Sequence, residues 1–126
     1  MIVDDDLDIA TVLPMVLRKS GFQIAAYTNP RKALSDYRPS DYDLVLLDVR
    51  MPGMSGYDLY RGLRALHSGI KVLFLTAIDV QDEIVKLFPE LAAEWVMQKA
   101  VQIKLLVETI QKRIASPPCK FNAIVS

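Results

Sequence analysis

Side chains that could carry chemistry stand at the ends of four short apolar segments. Three consecutive aspartates at 4–6 follow the first segment, Asp48 closes another, and Thr76 and Lys99 end two more. Each could serve separately as a turn residue, but convergence of four segment ends is harder to explain that way. Unit charges 4 Å apart interact by about 4 kcal/mol at an effective dielectric near 20. Clustered carboxylates must therefore protonate or hold a cation, and oxygen ligands favour Mg²⁺, with Mn²⁺ as an alternative.

The same residue types fit phosphoryl transfer. An aspartate can act as the nucleophile that forms an aspartyl-phosphate. A lysine such as Lys99 can pair with the transferring oxygens as a point charge. The hydroxyl of Thr76 could donate to a phosphate oxygen that is present only after transfer. One of the aspartates could therefore react, and Thr76 could sense the product.

The elements that would position these residues alternate along the chain. Apolar runs at 2–4, 22–27, 44–48, 72–76 and 95–98 are predicted strands, separated by helical patterns. The third and fourth runs are continuously apolar, as strands buried on both faces are. Parallel neighbours need crossover helices, so the pattern predicts a doubly wound α/β sandwich of three layers with a five-stranded parallel sheet. Ligands of such folds bind outside the carboxyl ends of the strands.

Local signals mark several helix ends. Gly21 stands where a C-terminal cap belongs, after a helix with an apolar stripe. Asn29 precedes a proline at the first helical position, which predicts an N-cap. Ser55 and Asp58 make a similar start for a third helix, predicted from residue 57 to about 67. A fourth helix is predicted over about residues 80–88.

Composition limits the classes of function. The 126 residues suit one domain, and 15 basic residues balance 15 acidic ones, which gives no global field for nucleic acid or anionic lipid. The single Cys119 excludes an internal disulfide and fits a reducing compartment. No apolar run could span a membrane, and no signal peptide precedes the first strand, so we expect a cytoplasmic protein. Residues 1–115 form the expected domain, and 116–126 a tail or linker stub.

These motifs resemble those of response regulator receiver domains. The runs VDDD at 3–6, LLDVRMPGMSG at 46–56 and FLTA at 74–77 occur with Lys99 in the receiver order. The spacings also agree, at 43 positions from Asp5 to Asp48, 28 more to Thr76 and 23 more to Lys99. The resemblance covers about residues 1–115, and the motif D-x-x-M-P-G-x-x-G is its most specific part. It implies a flavodoxin-like (βα)5 fold with strand order 2-1-3-4-5.

The resemblance also implies roles for individual residues. Asp48 would be the phosphoacceptor, and the metal would be held by Asp48 together with Asp4, Asp5 and the backbone carbonyl of Arg50. The phosphate would be bound or read by the side chains of Lys99 and Thr76 and the backbone amide of Ala77. The turn at Pro52 and Gly53 would shape the loop beside the site.

Two positions depart from the receiver pattern. Ala100 follows the lysine where the family usually has a proline, often with a cis bond, and a cis bond at alanine costs about 2.5–4 kcal/mol. Val96 stands at the family's switch aromatic, three positions before the lysine. Trp95 is adjacent, but the two-residue strand period would direct it to the opposite face. The departures concern signalling rather than the phosphorylation chemistry.

The resemblance implies a Mg²⁺-dependent phosphorelay module and not a turnover enzyme, although slow self-dephosphorylation is compatible with it. Its expected partners are a sensor histidine kinase or phosphotransfer protein, and a downstream protein or an output domain elsewhere. The face of the fourth helix, fifth strand and fifth helix would switch and could form a homodimer. We expect no direct contact with nucleic acid or membrane.

Two other functions stay open at this stage. A receiver-like module that is never phosphorylated and only binds partners is favoured by Val96 and Ala100. An aspartate-nucleophile phosphohydrolase of the haloacid-dehalogenase kind is the more remote alternative, because Asp4 and Asp6 match its D-x-D motif after the first strand. That second alternative leaves the Asp48 motif unexplained.

Overall fold

The computed structural model describes residues 1–76, 81–91, 95–98 and 103–115. Strands and helices alternate along these residues as the sequence pattern predicts. The elements in chain order are β1 (Ile2–Val3), α1 (Leu7–Lys19), β2 (Ala26–Tyr27), α2 (Pro30–Asp36), β3 (Val45–Leu47), α3 (Gly56–Leu66), β4 (Val72–Thr76), α4 (Gln81–Leu87), β5 (Val96–Gln98) and α5 (Ile103–Ala115).

The five strands form one parallel sheet in the order β2-β1-β3-β4-β5. Val3 is paired with Tyr27 on one side and with Leu47 on the other, and Leu47 is in turn paired with Phe74. Every residue of β1, β3 and β4 is buried. The fold class and the strand order are therefore confirmed, and β1, β3 and β4 end along one edge of the sheet.

Helices cover both faces of this sheet. Phe74 of β4 contacts the rings of Tyr57 and Tyr60 from α3. The next residue, Leu75, lines a groove with residues of α1 and α5, including Leu13 and Leu106. Successive strand residues point to opposite faces, so these contacts assign α3 to one face and α1 and α5 to the other. The core is thus two apolar layers on either side of the sheet.

The predicted helix ends at Gly21, Asn29 and Ser55 are confirmed. The amides of Gly21 and Phe22 donate to the carbonyls of Arg18 and Leu17 at 3.0 and 3.2 Å, which is the Schellman arrangement. The Asn29 side chain accepts from the amides of the first turn of α2, and Ser55 accepts from the amide of Asp58.

The second strand is shorter than the sequence pattern predicts. The run at 22–27 is a predicted strand, but only Ala26 and Tyr27 pair with β1. The amide of Phe22 is used instead to close the end of α1.

Of the helices that the structure describes, none combines the length and apolar character needed to cross a bilayer.

Candidate functional site

Asp48 follows the last residue of β3 and lies at the carboxyl edge of the sheet. Its amide donates to the carbonyl of Val3 at 3.0 Å, which ties the start of the following loop to β1. The residue is only 5% exposed. The nucleophile that the sequence predicts is thus held by the backbone of the two central strands.

Asp4 and Asp5 leave the neighbouring strand at the same edge. The amide of Asp4 donates to the carbonyl of Tyr27 at 3.0 Å, and its carboxylate accepts from the amide of Asp6 at 2.9 Å. Asp4 is buried, whereas Asp5 is exposed. One carboxylate is therefore fixed by the backbone and the other faces solvent.

The carboxylates of Asp4, Asp5 and Asp48 converge, with one oxygen of each within 4.8 Å of the others. Because like charges at this separation repel, a divalent cation would relieve the repulsion. The donor set is all oxygen and is open to solvent on the Asp5 side, where water could complete an octahedron. These residues fit Mg²⁺, a small cation that takes oxygen ligands and keeps several waters.

Asp6, the third residue of the acidic run, has a different role. Its carboxylate accepts from the amides of Asp8 and Ile9 at 2.9 and 3.4 Å and caps the N-terminus of α1. Such a cap satisfies backbone donors that a helix leaves unpaired. The capping role accounts for Asp6 without the D-x-D phosphohydrolase alternative.

Thr76 ends β4 at the same edge, and it is 2% exposed. It is paired with Gln98 of β5, the residue that precedes Lys99. Lys99, Ala77 and Ala100 lie outside the described residues, so their roles stay predictions. Asp4, Asp48 and Thr76, which follow or end β1, β3 and β4, lie at the carboxyl edge of the sheet, as the sequence predicts.

The loop after Asp48 depends on two glycines of the D-x-x-M-P-G-x-x-G motif. Gly53 follows Pro52 with φ +81°, a conformation that residues with a side chain rarely adopt. Gly56 donates its amide to the carbonyl of Val49 at 2.8 Å, and a Cβ at Gly56 would overlap the backbone carbonyl of Asp48. The second glycine therefore lets α3 begin directly against the candidate nucleophile.

An open cleft of about 570 Å³ leads to this loop. Its walls include Asp5 of the carboxylate cluster, Arg50, and two residues that the sequence analysis missed, Tyr57 and Glu83. The Tyr57 hydroxyl donates to Glu83 Oε2 at 3.0 Å. Burial raises the pKa of Tyr57 to about 12, the bond to Glu83 adds to that rise, and the nearby charge of Arg50 opposes it.

The departure at Val96 lies within β5. Val96 is half-buried and is paired with Phe74 of β4. Trp95 is 3% exposed, and the Arg113 guanidinium of α5 lies 5.5 Å from its ring centroid. The aromatic side chain next to the switch position therefore packs against α5.

A doubly wound α/β fold with a five-stranded parallel sheet and three converging carboxylates at its carboxyl edge is the arrangement that the sequence leads us to expect of a receiver domain. The chain belongs to the response regulator receiver domain family, whose model matches residues 1–111.

Relatives with curated names support this assignment. The chain is similar to the DNA-binding response regulator MtrA of Mycobacterium leprae, with 39% identity over 115 residues, 90% of this chain and 50% of that protein. It is also similar to the sensory transduction protein RegX3 of Mycobacterium tuberculosis, with 37% identity over 112 residues, 88% of this chain and 48% of that protein. The chain thus spans about half the length of these relatives.

Solved structures agree with the fold. The response regulator TrrA of Thermotoga maritima, in complex with Mg²⁺ and BeF, superposes with a TM-score of 0.73 at 28% identity, covering 89% of this chain and 95% of that chain. The non-phosphorylated HemR receiver domain of Leptospira biflexa gives a TM-score of 0.78 at 24% identity, covering 95% of this chain and 96% of that one. The second likeness supports the fold alone.

Proposed function

We propose that this domain accepts a phosphoryl group on Asp48 from a histidine kinase or phosphotransfer protein. The convergence of Asp4, Asp5 and Asp48 at the carboxyl edge of the sheet is the observation that carries the proposal. An oxygen of Asp48 forms the new bond to phosphorus, and the phosphorus–nitrogen bond to the donor histidine breaks. The electron pair of the broken bond returns to the imidazole.

Asp4, Asp5, Asp48 and the backbone carbonyl of Arg50 would hold Mg²⁺, or Mn²⁺ in its place. When bound, the cation supplies charge neutralisation for the phosphoryl oxygens. The buried Asp4, fixed by the amide of Asp6, keeps its carboxylate beside Asp48. The complex of the TrrA relative with Mg²⁺ and BeF supports this choice of cation.

Thr76, Lys99 and the amide of Ala77 would bind the new phosphate. Their movement would shift the face formed by α4, β5 and α5 between two states, which a partner, an output domain or a second copy would bind. The MtrA relative is named as DNA-binding and is about twice as long as this chain, so we assign DNA contact to an output domain rather than to this one. The module works in the cytoplasm and is reset by hydrolysis.

Mass spectrometry with a small phosphodonor tests the proposal. Incubation with acetyl phosphate and Mg²⁺ should add one phosphoryl group, which hydroxylamine removes. Asp48→Ala should show no adduct, whereas Asp41→Asn, an exposed aspartate outside the carboxylate cluster, should be modified like the parent. An adduct on Asp48→Ala would contradict the assignment of the acceptor.

A module that only binds partners is the second candidate. Val96, an aliphatic residue at the position of the family's switch aromatic, favours it. In that case the parent chain would gain no phosphoryl group under the same conditions, while its partner would bind without Mg²⁺ or phosphodonor.

A further inference from the structure

The cleft beside Asp48 carries a negative charge that is not part of the carboxylate cluster. Among its described wall residues, Asp5 belongs to the cluster, and Arg50 and Glu83 are the other charged side chains. All three are exposed. A phosphodonor that approaches through this cleft would meet the charges of both Arg50 and Glu83.

Glu83 is held at this place by α3. Tyr57, in the first turn of α3, donates its hydroxyl to Glu83 Oε2 at 3.0 Å. The Tyr57 ring is anchored against Phe74 of β4 and Phe88, with centroids 6.0 and 5.7 Å away. A rigid ring with a single hydroxyl therefore fixes a carboxylate on α4 beside the cleft.

We infer that Glu83, positioned by Tyr57, selects among small phosphodonors by their charge. The inference rests on the proposed phosphorylation of Asp48. A carboxylate at the cleft repels a dianion more than a monoanion, so it lowers the entry rate of the dianion selectively. In this scheme Glu83 acts through its charge alone, and Tyr57 acts only by holding it.

Two donors and one conservative variant test the selection. Acetyl phosphate is a dianion near neutral pH, whereas phosphoramidate is a monoanion. Glu83→Gln keeps an oxygen that can accept from Tyr57 and removes the charge. It should speed phosphorylation by acetyl phosphate about two- to fivefold and by phosphoramidate less, and high salt should suppress the difference.

Asp82→Asn is the matched control, because it removes the same charge from an exposed neighbour on α4 that does not line the cleft. It should change the ratio of the acetyl phosphate rate to the phosphoramidate rate by less than half as much as Glu83→Gln does. Tyr57→Phe keeps the ring and releases the Glu83 carboxylate. It should raise the ratio of the acetyl phosphate rate to the phosphoramidate rate in the otherwise unchanged chain. The same substitution should leave that ratio unchanged in a Glu83→Gln background.

The outcomes separate the two levels of proposal. Equal acceleration of both donors by Glu83→Gln, or an effect of the same size in Asp82→Asn, would overturn the charge selection while the phosphorylation of Asp48 stands. If the parent chain takes a phosphoryl group from neither donor, the proposed function fails, and the selection by Glu83 fails with it.

Discussion

At the residue scale, the site depends on which of three adjacent aspartates does what. Asp4 and Asp5 share the carboxylate cluster with Asp48, and Asp6 caps α1. The strand-end rule predicted the convergence, because it needs only the order of strands and the edge they share. The division of labour within the run depends on where α1 begins, which residue identity alone does not fix.

Neutralising one member of the cluster should stabilise the metal-free domain. Asp5→Asn removes an exposed charge from a group whose oxygens lie within 4.8 Å, so we expect the free energy of unfolding to rise by about 1 kcal/mol at low salt. Urea denaturation without and with Mg²⁺ measures this. Mg²⁺ should stabilise the parent and Asp41→Asn by mass action, and Asp5→Asn much less. Equal stabilisation of all three by Mg²⁺ would contradict the metal site.

Gly56 allows no side chain against the candidate acceptor. Gly56→Ala places a Cβ onto the backbone carbonyl of Asp48, so the loop or α3 must move. We expect the free energy of unfolding to fall by about 1–3 kcal/mol and phosphorylation to slow. Gly62→Ala in the same helix is the control, because its Cβ meets only side-chain atoms of Leu34. Similar losses in both variants would show that the close approach to the Asp48 carbonyl carries no special cost.

At the element scale, the sequence predicted the central strands and most helix ends. Continuous apolar runs fix β3 and β4, and short-range capping fixes the starts of α2 and α3, because both signals act over a few residues. The extent of β2 was wrong because the amide of Phe22 closes α1. The contact between Tyr57 and Glu83 joins two helices, and no local pattern encodes it.

A mostly buried ion pair joins α3 to the segment after α4. Arg64 Nη1 lies 2.7 Å from Glu90 Oε2, and the Tyr60 hydroxyl donates to the same oxygen at 3.1 Å. The two charged side chains are 9% and 14% exposed, so removing one leaves the other poorly solvated. We therefore expect Glu90→Ala to lower the free energy of unfolding by about 2–3 kcal/mol.

Thermal or urea unfolding measures that loss. The control is Lys32→Ala, which removes one partner of the exposed pair with Asp36 on α2 and should leave the stability almost unchanged. If the two variants lose the same stability, the Arg64–Glu90 pair does not hold α3 to this segment.

At the scale of the whole molecule, the amino group of the residue that precedes β1 lies in the core region. The amino group of Met1 donates to the carbonyl of Leu44 at 3.0 Å, and Met1 is 5% exposed. Burial lowers the pKa of this amine from 8.0 to about 6, although the charge of Asp43 acts in the opposite direction. The folded chain therefore holds a proton on this amine less tightly than the unfolded chain does.

This difference should make the stability of the 126-residue chain depend on pH. Between about pH 6 and 8 the unfolded state binds the proton and the folded state does not, so the free energy of unfolding rises with pH across that window, by about 2–3 kcal/mol in all. Below about pH 6 the amine is protonated in both states, so its contribution to the free energy of unfolding falls no further.

Acetylation of the Met1 amine removes its titration and leaves other groups in place. Urea unfolding of both forms across this window should show a steeper rise in the free energy of unfolding for the chain with the free amine. Parallel curves would mean that burial does not lower the pKa of this amine.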